Sequence, residues 1–450
     1  MSAPAARYRS LDFLRGLTIL GMVLSAIQPH GVMPGWMYHV QNPPPTHALD
    51  MSVPGIGWVD MVFPIFIFCM GAAIPFARPS LKGIFSRFAM LWLFSYLYVF
   101  INSSCSWVTL AGFAALFPLY MVFKSPPRIL GRKVPVVYIR CAGLLLVLGV
   151  VAVNHFCFGE VISVQRRGII IFLLAFLYLF GSLIWHFTSN DHVARAGVFG
   201  IVLAFTLVTQ YWNWPVTTYA NPDLRWWFNV EYFYFLLLLI PATYIGDLLK
   251  KRIDGGVAVP QGKSVWGMPL LALLCVALVV WMLYAFYMQL YWWNLLLSGI
   301  MLGGIYWIVR KEFPAYLPVV KLAAYLIMAG EIIEPCGGGI RKVPCTIQYC
   351  LATCGMSMLL LIVADYICSR LPGSFVVGVF EGAGKNPLMC YIAFDCLVLS
   401  LMKITGAVQL YKMAYPEGMH LVGFIRSAVV VLFTMWVVGL FTRKRIFWKA

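Results

Sequence analysis

Apolar runs long enough to cross a bilayer recur from one end of this 450-residue chain to the other, and they restrict it to very few architectures. They lie near residues 11–28, 58–77, 84–102, 107–123, 138–156, 169–187, 196–212, 227–246, 268–288, 291–309, 318–335, 349–369, 386–404 and 421–441. In hydrocarbon every backbone N–H and C=O must find a partner within the protein, so only helices or a closed barrel can span. Barrel strands alternate apolar and polar residues over about ten positions. Blocks such as IIIFLLAFLYLF do not alternate, so the spans read as helices. Crossing takes about 20 residues, and the shorter runs are compatible with re-entrant segments. The expected fold is an all-α polytopic transmembrane bundle of ten to fourteen spans.

Charged residues make up 11% of the chain, under half of the roughly 25% in a soluble domain, and apolar residues 62%. No stretch between the runs is long enough to bury a core of its own. Residues 1–450 therefore read as one membrane domain, with a single large loop at 29–57. Arg7 and Arg9 precede the first run, whereas the loop from Pro29 to Gly57 contains no Lys or Arg. Cytoplasmic loops carry the excess of basic residues, which predicts a cytoplasmic N-terminus. Alternation from there leaves 25 of the 33 basic residues inside, Lys124, Lys263 and Lys449 among them, and 8 outside. The outer ones are Arg166, Arg167, Arg225, Arg341, Lys342, Lys403, Lys412 and Arg426. The net charge of +17 is thus accounted for by loop anchors, and no nucleic-acid partner is expected. The first run is too long for a cleavable signal core and carries Arg15, so it is expected to stay as an anchor.

Most of the twelve cysteines sit inside apolar runs as small packing residues. Cys336 and Cys345 flank a loop placed outside, where a disulfide and two free thiols are both compatible with the spacing. No Cys/His spacing resembles a metal site, and no metal is expected.

The first external loop, PHGVMPGWMYHVQNPPPTHALDMSVPGIGWVD, packs three histidines and six prolines between two spans. Prolines stiffen it, and histidine suits proton transfer near neutrality. His30, His39 and His47 are therefore either candidates at a cavity mouth or parts of a structural cap. Asp60 heads the next run, where an ionisable group is costly unless paired. It reads either as a functional carboxylate or as a helix N-cap. Asp12 and Arg15, spaced i, i+3, form an expected pair that either anchors the first helix or meets an anion such as a coenzyme phosphate. FEGAGKNPLMCY suggests a broken helix entry that presents Asn386 as a neutral donor, or a plain turn before Pro387. In EPCGGGIRKVPCTIQY, Arg341 and Lys342 could hold an anionic ligand, with Glu331 and Glu334 close enough in sequence to pair with them.

Four segments together resemble the transmembrane acyltransferases of the heparan-α-glucosaminide N-acetyltransferase type, including a bacterial branch of unknown function. They are RYRSLDFLRGLTILGMVL at 7–24, GIGWVDMVFPIFIFCMG at 55–71, GIRKVPCTIQY at 339–349, and GKNPLMCY with the closing RKRIFWKA at 384–391 and 443–450. The resemblance implies acetyl-CoA as a cytoplasmic acyl donor and a saccharide amine or hydroxyl as the acceptor on the other side. It also implies a multi-pass protein of the bacterial inner membrane and, by analogy, a homodimer. A catalytic histidine in the first external loop maps best onto His47, with His39 as the fallback. Asn386 maps onto a Gly-x-Asn asparagine and Lys342 onto an outer-loop lysine. Ser25, Ala26 and Gln28 stand where the family has an asparagine, so that role has no direct counterpart.

The alternative class is a proton-coupled solute transporter, for which Asp60, Glu231, Asp365 and Asp395 in or near spans would carry the coupling. No inverted repeat supports it. A structural subunit for an external enzyme would need more outer surface than one large loop provides.

Overall fold

A computed structural model describes residues 8–101, 106–123, 128–129, 132–133, 135–211, 227–256, 259–260, 262 and 264–448. Arg7, Lys124, Arg225, Lys263 and Lys449, which enter the charge balance above, lie outside these. The chain is an all-α bundle. Its helices are α1 (Arg9–Ile27), α2 (Trp58–Ala77), α3 (Leu81–Phe100), α4 (Ser106–Phe123), α5 (Val136–Phe158), α6 (Ile169–Thr188) and α7 (His192–Tyr211). They continue with α8 (Leu236–Asp254), α9 (Gly267–Met288), α10 (Tyr291–Glu312), α11 (Leu317–Ile333) and α12 (Ile347–Arg370). The last part is more broken, with α13 (Phe375–Lys385), α14 (Pro387–Ile392), a π-helical segment (Ala393–Leu399), α15 (Ser400–Thr405), α16 (Val408–Met413) and α17 (His420–Arg443). Among the described residues the only ladder is the two-residue pairing of Arg128–Ile129 with Arg132–Lys133.

Among the described residues, thirteen helices are long and apolar enough to cross a membrane, and the chain is a multi-pass integral membrane protein. The 18-residue α4 is a fourteenth crossing, as its neighbours require. Asn154 near the end of α5 donates to the carbonyl of Phe100 at the end of α3, at 3.1 Å, so both ends share one face. A 23-residue α5 can return there only if α4 has first carried the chain across.

The core forms around α12, which α1, α2, α8, α9 and α11 surround. Two of its hydroxyls are satisfied within the helix: Thr353 Oγ1 donates to Tyr349 O and Ser357 Oγ to Thr353 O, each at 2.6 Å. With no water to compensate, such internal bonding is what lets a helix bear hydroxyls at this depth. On the other flank α1 packs against α13 through two glycines. A Cβ on Gly384 would collide with Asp12 O, and one on Gly16 with Phe380 O. Small residues at both positions allow backbones to approach as closely as membrane helix pairs do.

The break expected near Asn386 is present. Asn386 has φ −130° and ψ 58°, and Pro387, which has no N–H to lose, opens α14. Cys336 and Cys345 are free thiols, and Cys345 Sγ lies 3.3 Å from Cys350 Sγ instead.

Candidate functional site

Two loops distant in sequence meet on the charge-poor face. Gly55 N donates to Ile340 O at 2.7 Å, and the Gln41 side chain pairs with both the N–H and the C=O of Val343. Gln210, at the end of α7, does the same across the other shoulder of the turn, bonding Cys345 O and Ile347 N. Neither glutamine stood out in the sequence, because a neutral amide carries no signal until its partner is known. Together they hold Lys342 over the start of α2.

There Asp60 has two tasks. Its Oδ2 accepts from Gly57 N at 3.1 Å and Val40 N at 3.3 Å, capping α2 and fixing the incoming loop. Its Oδ1 lies 2.6 Å from His39 Nδ1 and 3.8 Å from Lys342 Nζ. One oxygen of Asp60 thus caps the helix, and the other faces His39 and Lys342. Tyr349 on α12 donates its hydroxyl to Asp60 O at 2.7 Å, tying the site to the core helix. With a carboxylate on Nδ1, the His39 imidazole is held as the Nδ1–H tautomer, and Nε2 is left as a lone-pair edge. Lys342 Nζ stands 3.2 Å from the same Nδ1. Both are donors, so this contact places a positive charge beside the pair and is not a hydrogen bond. Burial lowers the Lys342 pKa, and the Asp60 carboxylate opposes that shift.

His39 and Lys342 open onto a cavity of about 380 Å³ between α1, α2, α3, α6 and α14. Met22, Val23, Val62 and Phe63 give it an apolar wall, and Tyr98, Tyr391 and Asp395 a polar one. Asp395 is carried on the π-helical segment, a geometry that recurs at functional sites. As an intramembrane carboxylate it was visible in the sequence, but nothing there connected it to the first loop.

The other residues singled out by the sequence lie elsewhere. His47 packs its ring against His30, with centroids 3.9 Å apart, and edge-on against Tyr38 at 4.5 Å. Its Nε2 is buried without a hydrogen-bond partner. Burial, and then the His30 ring, hold its pKa below the ordinary histidine range. It lies off the cavity wall, in the structural cap. Of His39 and His47, the fold brings His39 to Asp60 and Lys342.

Arg15 does not present a free guanidinium to an anion. Its Nη1 bonds Asp12 Oδ1 and Gly384 O, and its Nη2 bonds Cys69 O, all at 3.1 Å, so it clamps α1, α2 and α13 together. Asn386 is likewise saturated: its amide donates to Ile446 O at 2.9 Å and accepts from Trp448 N at 3.2 Å, strapping down the segment after α17. An oxyanion role for Asn386 would cost those bonds. Arg341 turns from Lys342 to the carbonyls of Met51 and Gly337. Glu331 and Glu334 form no ion pair with either basic residue.

Of the transporter candidates, Asp365 is fully buried and accepts from Tyr8 at 2.6 Å, Tyr316 at 2.7 Å and Arg252 at 3.2 Å, closing the opposite face. Among the described residues no group of three or more His, Cys, Asp or Glu could hold a metal ion. A family model described as a domain of unknown function (DUF5009) matches residues 7–249, just over half of the chain, including both His39 and Asp60. No curated protein matches the chain.

Proposed function

The chain belongs to the DUF5009 family, and from that premise, with no activity attached to it, we propose that it is a membrane acyltransferase whose general base is His39. The observation that carries this reading is the buried Asp60 carboxylate at 2.6 Å from His39 Nδ1, beside a cavity that Nε2 can serve. A carboxylate-oriented imidazole can take a proton from an amine or hydroxyl as it attacks an acyl carbon, help worth roughly 100- to 10,000-fold. Lys342, on the same wall, would hold the negative charge developing on the acyl oxygen.

The acyl donor is a substrate here, and acetyl-CoA is the one implied by the four-segment resemblance. The apolar wall from α1 and α2 suits an acyl group and its thioester arm. Arg15, already held by three acceptors, is not offered to the coenzyme phosphates in this reading. The acceptor is a saccharide amine or hydroxyl reaching the cavity from the charge-poor side, which the basic-residue bias makes exoplasmic. A bacterial inner membrane and a homodimer complete the proposal on the same resemblance.

The test is turnover of labelled acetyl-CoA by purified full-length protein with glucosamine as the acceptor. His39→Gln should lower kcat by about 100-fold or more. Asp60→Asn should lose a similar amount, because an amide no longer enforces the Nδ1–H tautomer, and His47→Gln should keep most of it. Full activity in His39→Gln with loss in His47→Gln would move the base to the cap. No binding of acetyl-CoA by folded wild-type protein would end the acyl-CoA reading and leave transport as the better one.

A further inference from the structure

Away from the His39 cavity, α10 and α11 run antiparallel and meet near the charge-poor face around a buried polar ladder. Glu331 on α11 and Glu334, the residue that closes it, are only 4% and 2% exposed. On α10, Tyr291, Asn294 and Ser298 follow one another at i, i+3 and i+7 on one face. Tyr291 is within electrostatic reach of Glu334, and Ser298 Oγ lies 2.5 Å from Glu331 Oε2. Asn294, between those two rungs and 1% exposed, has neither amide atom hydrogen-bonded, and Glu331 Oε1 also lacks a partner.

The proton count at Ser298 is informative. Its hydroxyl sits 2.6 Å from Asn294 O, which can only accept, and 2.5 Å from Glu331 Oε2. One hydroxyl proton cannot serve two acceptors at such distances. Both contacts are satisfied when Ser298 donates to the carbonyl and a protonated Glu331 donates to Ser298.

The surroundings agree, because no basic side chain among the described residues forms an ion pair with either glutamate. Arg341 is turned to backbone carbonyls and Lys342 to Asp60. α9 contains no charged residue, and the charged residues of α12, Asp365 and Arg370, lie at its far end. From the near end of α12 come Gln348, which is uncharged, Tyr349, bonded to Asp60, and Cys350, beside Cys345. An unpaired carboxylate at this depth is costly, and a bound proton removes the charge.

We propose that Glu331, Glu334, Asn294 and Ser298 form a proton-binding site that loads and unloads from the charge-poor face, separate from the His39 cavity. In the exchange, Glu331 Oε2–H releases its proton to a water held by the Asn294 amide. That water passes a proton to the Glu334 carboxylate, and Glu334 returns one to solvent. Glu331 ends as a carboxylate, one proton leaves, and no heavy-atom bond changes.

Infrared spectra of purified full-length protein, taken as the difference between wild type and Glu331→Gln, read this protonation directly. The expected result is a carboxylic-acid C=O band at pH 6 that falls at least tenfold by pH 10, unchanged when sodium chloride replaces choline chloride. Glu334→Gln keeps Glu331 and should shift the band's loss to lower pH, because the neighbouring negative charge is gone. It also keeps the test decisive if Glu331→Gln does not fold. Absence of the band at pH 6, removal of the band by sodium at fixed pH, or an unshifted titration in Glu334→Gln would each overturn the proposal.

Discussion

His39 and His47 are chemically the same residue in the same loop, and their difference lies entirely in what surrounds them. The partner that separates them most clearly, Lys342, is 303 residues from His39 in sequence. Local reading could therefore name both histidines and rank neither. Asp60 was legible as a residue needing a reason to be there, but not as serving two tasks at once, since each depends on which oxygen faces which loop. His47 leads to a prediction of its own. Burial, and then His30, hold its pKa below the ordinary histidine range. The unfolded chain thus takes up a proton before the folded chain does, and stability contributed by this group is present above about pH 6.5 and declines as pH falls. His47→Gln should flatten that fall in melting temperature. An undiminished slope in that variant would assign the fall to another group.

Among the elements, α13 and the start of α14 form the break that their motif suggested, and its polar side chain is used for packing. Gly384, Asn386 and Pro387 do interrupt the helix, but the glycine is there for contact with α1 and the asparagine for the segment after α17. Arg15 belongs to the same junction, with three acceptors from three elements around one guanidinium. Removing one partner of a buried pair typically costs about 3–5 kcal/mol. Arg15→Ala should accordingly lower the melting temperature sharply without changing the KM for any acyl donor. Arg15→Lys should recover only part of the loss, because a single ammonium cannot match the planar fork. A rise in KM with unchanged stability would instead return Arg15 to the coenzyme.

For the whole molecule, the contact between the 29–57 and 334–346 loops requires an even number of crossings between them, and that count closes only if α4 spans. Single cysteines at Ser52 and Ser163, in a background free of reactive thiols, should label with an impermeant maleimide from one side of sealed vesicles. Cysteines at Ser80 and Asp191 should label only from the other. Labelling of Ser163→Cys together with Ser80→Cys would mean that α4 turns back within the membrane. The sequence by itself determined that this chain is a helical membrane bundle, roughly how often it crosses, and which face is poor in basic residues. Hydrophobic run length and loop charge are local properties that the bilayer reads directly. Only the tertiary structure decided which histidine meets Asp60, that Arg15 and Asn386 are clamps, and that no cation among the described residues pairs with Glu331 or Glu334. Each of those depends on helices far apart in the chain packing side by side, which no local pattern encodes.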